Sequence, residues 1–248
     1  MNELLVEYIK SIIISEKVRS KNIKSKFGNK FDINKLQKLD NIELVKYYAN
    51  LFLEKLGEGS SRAAYTLTSR KVLKVAINKK GISQNEAEVD VFTNPTSKPI
   101  VATIYKADPE YKWVISDLVK PLGVNEFKKL TGLNWYEFSR ELEDVIRYNE
   151  QPSEITKKSN FVKSVIQTAK MNNLLFGDLG VIDHWGKTSD GKVILLDYGF
   201  TGTVWEHHYK SDGSKRVATD SNTNDTSDKR TNYTTNNSVS DRDAATKK

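Results

Sequence analysis

Three aspartates stand close together in the stretch of the chain from residue 176 to residue 201. A hairpin turn predicted at residues 189–191, followed by an apolar strand, brings Asp178, Asp183 and Asp197 to one edge of a small antiparallel unit. Carboxylates collected in this way repel each other unless a cation lies between them. Mg²⁺ held by one or two carboxylates together with substrate phosphates meets that need. The stretch therefore predicts a site for magnesium and phosphate.

A lysine lies within a predicted strand that is apolar on both faces, residues 72–77. Both faces should be buried, and a buried ammonium group must find an anion or lose its proton. Lys74 is therefore predicted to contact a phosphate, although a place at the solvent edge of a sheet is the alternative. Just upstream, Gly57 and Gly59 end a short strand, where glycines let the backbone approach a phosphate closely. A plain tight turn explains the two glycines equally well.

Further elements position these residues. A helix at 82–92 has Glu86 and Glu88 on either side of its apolar face, so the helical wheel does not choose between them. The other predicted elements are strands at 100–106 and 113–119 and helices at 123–149 and 153–172, of which the last delivers Asp178. Residues 1–55 are predicted to be helical apart from a loop at 20–35, and they cap the domain that follows or dock a partner. Trp185 and Trp205 are predicted to be core residues.

Composition limits the kinds of site that are possible. The 248 residues contain no cysteine and three histidines, so disulfides and thiolate zinc sites are excluded and any metal must be held mainly by oxygen. The net charge is +7, but no basic run is interleaved with aromatic residues, so a phosphate-bearing ligand is favoured over nucleic acid. No apolar run is long enough for a membrane span, and Glu3, Glu7 and Lys10 interrupt the apolar residues of the N-terminus, which argues against a signal peptide and predicts a protein that stays in the cytoplasm.

The order and spacing of these motifs resemble the protein-kinase-like fold. The resemblance covers residues 55–205. It rests on the glycine turn, the strand V-L-K-V-A, a glutamate helix, the segment D-L-V at 117–119, G-D-L at 177–179 and D-Y-G at 197–199. G-D-L is closer to aminoglycoside phosphotransferases and other small-molecule kinases than to protein kinases, and D-H-W-G followed by L-L-D-Y-G-F-T is similar to short kinase-like proteins of bacteriophages. The third glycine of the kinase loop is replaced by Arg62.

The resemblance implies an α+β, two-lobed fold. Its parts would be a helical N-terminal extension (1–55), an N-lobe with an antiparallel sheet (56–119) and a shortened helical C-lobe (120–210). The remaining residues, 211–248, are rich in Ser, Thr, Asn, Asp and Lys, which predicts a disordered tail. The N-terminal helices and this tail are the segments through which a protein partner could bind.

The resemblance also implies an ATP-dependent phosphotransferase that moves the γ-phosphoryl group to a hydroxyl acceptor with Mg²⁺. Asp178 would be the catalytic residue, Asp197 would bind the metal, and Asp183 or His184 would replace the usual metal-binding asparagine. Lys74 would pair with Glu88, which is chosen over Glu86 because Q-N-x-x-E resembles the start of this helix in small bacterial and phage kinase-like sequences. The remaining implied nucleotide contacts are Gly57, Gly59, and the backbone of Asp117 and Val119.

An alternative role does not require catalysis. Folded-looking sequence ends soon after Asp197, so the activation segment and later helices that bind peptides in protein kinases have no counterpart. The chain could then be a weak or inactive kinase-like module that binds nucleotide or serves a structural role, for example in a phage virion or a host-takeover complex. Charged residues at buried positions argue against a purely structural module, because such a module would be more stable without them.

Overall fold

The computed structural model describes residues 30–210. The first predicted amphipathic helix, the start of the loop predicted at 20–35 and the predicted disordered tail lie outside the described residues. Within them the loop prediction was wrong at its end, because residues Ile33–Leu36 form a short helix, α1, whose N-terminus is capped by Asp32. The following helix, α2, spans Ile42–Phe52 and begins at a second side-chain cap, Asn41.

The N-terminal part of the fold is a five-stranded antiparallel sheet. Its strands are β1 Glu54–Glu58, β2 Arg62–Thr68, β3 Lys71–Ala76, β4 Ile104–Ala107 and β5 Trp113–Asp117. They lie in the order β1-β2-β3-β5-β4, so the central strand is β3, with β2 and β5 as its partners on either side. The predicted strand at 100–106 begins four residues late, because residues 100–103 form a turn and an isolated bridge.

The two faces of the sheet have different partners because side chains alternate along a strand. Leu73, Val75 and their cross-strand neighbours pack with α2 in one buried apolar cluster. Lys74 lies between them in sequence and therefore points to the opposite face, toward the rest of the molecule. The apolar pattern on both sides of β3 thus reflects a helix layer on one face and a cleft on the other.

Helix α3, Lys79–Thr93, connects β3 to β4 and carries Glu88. It begins three residues before the predicted helix because the side chain of Asn78 accepts a hydrogen bond from the N–H of Gly81 and caps the new start. Gly81 packs directly on the turn between β1 and β2, where an added Cβ would lie 2.1 Å from the carbonyl oxygen of Ser61. This close approach fixes the helix against the glycine turn.

The C-terminal part is mainly helical. Its elements are α4 Val124–Thr131, α5 Trp135–Leu142 with a π-helical turn Glu143–Arg147, α6 Glu154–Lys158, α7 Asn160–Met171, α8 Phe176–Leu179, a 3₁₀ turn Ile182–His184, β6 Trp185–Lys187, β7 Val193–Leu195 and α9 Gly202–His208. The two long predicted helices are each divided, the first at Gly132, whose φ of +74° is left-handed, and the second at Ser159, which caps α7.

The class of the fold is as predicted: α+β, with an antiparallel N-terminal sheet followed by a helical part that has its own core. That second core includes Phe127, Phe138 and Trp185.

Trp205 is 40% exposed, so its assignment to the core was wrong; it lies on α9, whose buried side is formed by Val204. No helix between residues 30 and 210 has both the length and the apolar character needed to cross a bilayer.

Candidate functional site

Lys74 on β3 and Glu88 on α3 form an ion pair between the sheet and that helix. Lys74 Nζ lies 2.8 Å from Glu88 Oε1 and 2.9 Å from Oε2, and it donates a third hydrogen bond of 2.7 Å to the carbonyl oxygen of Leu196. The Glu88 side chain is fully buried and that of Lys74 is 13% exposed. Glu86, the residue that the helical wheel could not distinguish from Glu88, is exposed. The anion that a buried lysine requires is thus supplied by α3.

The turn between β1 and β2 forms the upper wall of a cleft. Gly59 N–H donates to the carbonyl oxygen of Arg62, which closes a tight turn, and Ile77 N–H donates to that of Ser61. The side chain of Asn78 holds the carbonyl oxygen of Ser60. The turn is therefore tight, and its glycines border the cleft, while their contact with a phosphate stays a prediction.

The cleft has a volume of about 320 Å³. It brings together five of the predicted site residues, Gly57, Gly59, Lys74, Asp178 and Asp197. Its remaining lining is formed by Ser60, Ser61, Arg62, Ala63, Ala64 and Gln84.

The two aspartates reach the cleft from different elements. Asp178 lies in the one-turn helix α8, and its Oδ2 accepts a hydrogen bond of 2.9 Å from the N–H of Phe200. Asp197 lies two residues after the end of β7. The residue between them, Leu196, donates its N–H to the carbonyl oxygen of His184. The predicted hairpin at 189–191 is present and joins β6 to β7. Its register places Asp197 opposite the glycine turn.

Arg62 enters the same cleft from the first position of β2. Its Nη1 lies 2.8 Å from Glu88 Oε1, and its Nη2 donates a hydrogen bond of 2.5 Å to Asp197 Oδ1. The Arg62 side chain is 10% exposed. Glu88 therefore forms ion pairs with both Lys74 and Arg62. Arg62 in turn connects Glu88 on α3 to Asp197, which follows β7. In the sequence, Arg62 stands out only as the residue that replaces the third glycine of the kinase loop.

The charges in the cleft shift two carboxyl groups in opposite directions. Burial and the neighbouring charge of Asp197 raise the pKa of Asp178 to about 8, against the hydrogen bond from Phe200 and the charge of Arg62. Burial also raises the pKa of Asp197, but the charges of Arg62 and Lys74 outweigh burial and hold that pKa below its usual range. One aspartate thus favours its protonated form near neutral pH while the other stays ionised.

Asp183 does not join the other two aspartates. It is exposed on the 3₁₀ turn, and its neighbour His184 points inward instead, with Nδ1 3.1 Å from the carbonyl oxygen of Asp178 and 3.7 Å from Asp178 Oδ1. Adjacent residues of such a turn face different directions, which spacing alone could not resolve. Of the two alternatives for the metal-binding position, Asp183 thus lies apart from Asp178 and Asp197, and His184 lies beside the catalytic candidate Asp178.

The predicted hinge residues lie apart from this cleft. Asp117 N–H donates to the carbonyl oxygen of Thr103, and its carboxylate accepts bonds from Thr103 N–H and the Tyr105 hydroxyl. Asp117 and Val119 line a separate hollow of about 490 Å³ that also includes Lys187. The side chain of Asp117 thus secures the edge between β4 and β5, and the backbone contact with a base stays a prediction.

Comparison with known proteins gives no family for the chain. The sequence matches no protein-family model and no curated protein. Among solved structures, the GDP and kanamycin complex of APH(2")-IIia is 15% identical over 64% of this chain and 73% of that one, with a TM-score of 0.35. The Mycobacterium tuberculosis PknI kinase domain is 15% identical over 60% of this chain and 59% of that one, with a TM-score of 0.32. SAICAR synthase from Saccharomyces cerevisiae is 12% identical over 65% of this chain and 74% of that one, also with a TM-score of 0.32. Such low scores leave the chemistry to be inferred from this chain's own residues.

The donor atoms as placed do not fit a magnesium ion. Asp197, the predicted metal ligand, is bonded to Arg62, and Asp183 is exposed. The imidazole of His184, which does lie at the site, is a poor ligand for so hard a cation. Within residues 30–210 no group of three or more histidine, aspartate or glutamate side chains is arranged to hold a metal. No step below is therefore assigned to a metal ion.

Proposed function

We propose that the cleft binds a nucleoside triphosphate, ATP in the first instance, and that the protein transfers its terminal phosphoryl group to a hydroxyl acceptor. The observation that carries this proposal is the buried pair Lys74–Glu88, which opens onto the same cleft as Asp178 and Asp197. A lysine oriented by a buried glutamate is a fixed positive charge, and a fixed positive charge beside a glycine turn suits a phosphate chain.

Each group has a role in in-line phosphoryl transfer, in which positioning and charge neutralisation supply most of the rate enhancement. Lys74 binds phosphate oxygens beneath the turn that contains Gly57 and Gly59. Asp178 orients the acceptor hydroxyl and takes its proton. A pKa of about 8 for Asp178 places this group near the operating pH, which suits a proton acceptor once it is ionised.

The cost of burying these charges also supports a functional role. Glu88 is fully buried and is held by two cations, and replacing such networks with apolar residues commonly leaves a protein equally or more stable. A purely structural cleft gains nothing from retaining Lys74, Glu88, Arg62 and Asp197 together.

Calorimetric titration with ATP tests the proposal. Lys74→Ala should weaken ATP binding by about tenfold to a hundredfold, because it removes a charge-assisted contact of about 1.5–3 kcal/mol. Lys192→Ala is the matched control, since Lys192 lies on the exposed hairpin and its side chain is 70% exposed. Equal affinity in the wild type and a folded Lys74→Ala protein would remove Lys74 from the site and contradict the proposed function.

A second candidate, a binding module without transfer, is favoured by the bond between Arg62 and Asp197, because that bond engages the predicted metal ligand. Asp178→Asn distinguishes the two candidates. This substitution should leave ATP affinity nearly unchanged while it abolishes phosphoryl transfer, since Asp178 acts on the acceptor. If the wild type binds ATP but is as inactive as Asp178→Asn with hydroxyl acceptors of every class tried, including aminoglycosides, serine peptides and the chain's own hydroxyls, the binding module is the better description.

A further inference from the structure

The position beside Asp197 is taken by a side chain of the protein itself. Arg62 bonds at once to Asp197 and to Glu88, two carboxylates that come from residues 135 and 26 positions away along the chain. Its Nη1 also lies 3.5 Å from Asn85 Oδ1 on α3. A guanidinium group suits this arrangement, because its planar set of donors can reach several acceptors in fixed directions.

We propose that Arg62 is the resident cation of the nucleotide site, so that the site binds phosphates without a divalent metal. This inference rests on the proposed function and specifies it further. The guanidinium is hydrogen-bonded to Oδ1 of Asp197, the predicted metal ligand, and Arg62 lines the cleft together with Lys74 and the glycine turn. The site would therefore hold two fixed positive charges, Lys74 and Arg62, for a polyphosphate.

The backbone that carries Arg62 is fixed. Its carbonyl oxygen accepts the N–H of Gly59, and the preceding carbonyl oxygen, of Ser61, accepts the N–H of Ile77. The Ser61 hydroxyl also donates to Gln84 Oε1 at 2.5 Å, which joins the turn to α3. The backbone at Arg62 is therefore held by hydrogen bonds on two sides, so the guanidinium is positioned before any ligand binds.

The charge of Arg62 is also permanent. An arginine side chain does not lose its proton in proteins, and the charges of Asp197 and Glu88 outweigh burial to raise its pKa further. A divalent ion bound at Asp197 Oδ1 would have to displace the hydrogen bond from Arg62 Nη2, so the buried guanidinium would lose one of its two carboxylate partners. Asp197 would also exchange a well-fitted neighbour for an ion that demands octahedral oxygen ligands.

Binding of Mn²⁺ to the ligand-free full chain, followed by electron paramagnetic resonance, tests whether Arg62 excludes a metal. Arg62→Gln removes the charge and should create a Mn²⁺ site at least about tenfold tighter than any in the wild type, because a charge-assisted bond of about 1.5 kcal/mol or more no longer competes. Arg147→Gln, at an arginine with a 58% exposed side chain distant in sequence from the cleft residues, is the matched control and should behave as the wild type. Wild-type protein that binds Mn²⁺ as tightly as Arg62→Gln overturns the proposal.

Titration with ATP in excess Mg²⁺ and in excess EDTA then tests the ligand. The wild type should bind ATP with nearly the same affinity in both, whereas Arg62→Gln should lose about tenfold or more when the metal is chelated. Wild-type binding that is lost in EDTA contradicts the inference while it leaves the proposed function intact. Wild-type protein that binds no ATP under either condition contradicts the proposed function, and the Mn²⁺ titration then still decides whether Arg62 excludes a metal.

Arg62→Lys guards against an effect of misfolding. It keeps the positive charge and should resemble the wild type in both titrations, and thermal unfolding should show that both variants remain folded. If Arg62→Lys and Arg62→Gln bind Mn²⁺ equally well, charge is not what excludes the ion, and the proposal fails.

Discussion

Asp178→Asn should change how the stability of the protein depends on pH. In the folded protein the pKa of Asp178 is raised to about 8, from 3.8 for an unperturbed group. Between these two pH values the folded state keeps a proton that the unfolded chain has released. Stability therefore falls as pH rises through this range, with a slope that approaches about 1.4 kcal/mol per pH unit for one group. From about pH 5 to about pH 7 the loss amounts to as much as about 3 kcal/mol.

The physical cause of this dependence lies in the cleft. The Asp178 side chain is 17% exposed, it faces the negative charge of Asp197, and among its contacts the Phe200 N–H favours the ionised form. Asparagine has nearly the same shape as aspartate but does not ionise, so its contribution to stability does not change with pH. The free energy of unfolding of Asp178→Asn, minus that of the wild type, should therefore increase by up to about 3 kcal/mol between pH 5 and pH 7.

Urea unfolding followed by tryptophan fluorescence measures this difference. Trp113 is buried in the sheet part, and Trp135 and Trp185 are buried in the helical part, so the signal reports on both cores. Asp190→Asn is the control: Asp190 is on the exposed hairpin, and hydrogen bonds from Lys192 and Thr188 lower its pKa to about 2, below the range tested. Parallel pH curves for wild type, Asp178→Asn and Asp190→Asn would refute the reasoning.

Three further substitutions test the packing around the site. Glu88→Gln should lower the free energy of unfolding, measured in urea, by about 3–5 kcal/mol, because two buried cations lose their shared anion. Glu86→Gln, at an exposed position, should change it by less than about 0.5 kcal/mol. Equal values for the two variants would show that the buried pair is not stabilising. Gly81→Ala should lower the melting temperature, since its Cβ would lie 2.1 Å from Ser61 O and α3 must move away from the turn at a cost of about 1–3 kcal/mol; an unchanged melting temperature would mean that this contact yields freely. Tyr198→Phe leaves a buried carbonyl oxygen without its 2.6 Å donor and should cost about 1–3 kcal/mol in the same urea assay, and a loss below about 0.5 kcal/mol would contradict this.

Local sequence patterns were sufficient for much of the sheet part. Alternation and turn residues located β2, β3 and β5, because the side chains of a strand repeat every two residues wherever each face has a fixed partner. The need of a buried ammonium for an anion predicted a phosphate contact for Lys74, and the pairing of Lys74 with a helix glutamate was implied by the resemblance. The choice of Glu88 over Glu86 rested on resemblance, and only the packing of α3 against the sheet shows which carboxylate is buried.

The contacts that the sequence could not predict are long-range or depend on turn direction. Arg62 and Asp197 are 135 positions apart, and no periodicity relates them. Arg62 did carry a signal, since a long cation replaces a glycine at a turn beside a predicted phosphate site, but the sequence alone gave no direction for its side chain. The sequence left Asp183 and His184 as alternatives because spacing along a 3₁₀ turn does not fix which residue points toward Asp178.

The charges of the cleft suit a cationic role for Arg62. Lys74 and Arg62 lie against Glu88 and Asp197, the pKa of Asp197 is held below its usual range, and the raised pKa of Asp178 keeps its carboxyl group largely protonated near pH 7. Loss of the Asp178 proton would add a negative charge beside an incoming polyphosphate. A bound polyphosphate therefore opposes ionisation of Asp178 until a positive charge approaches it, and among the groups described here Arg62 is one whose charge already acts on Asp178.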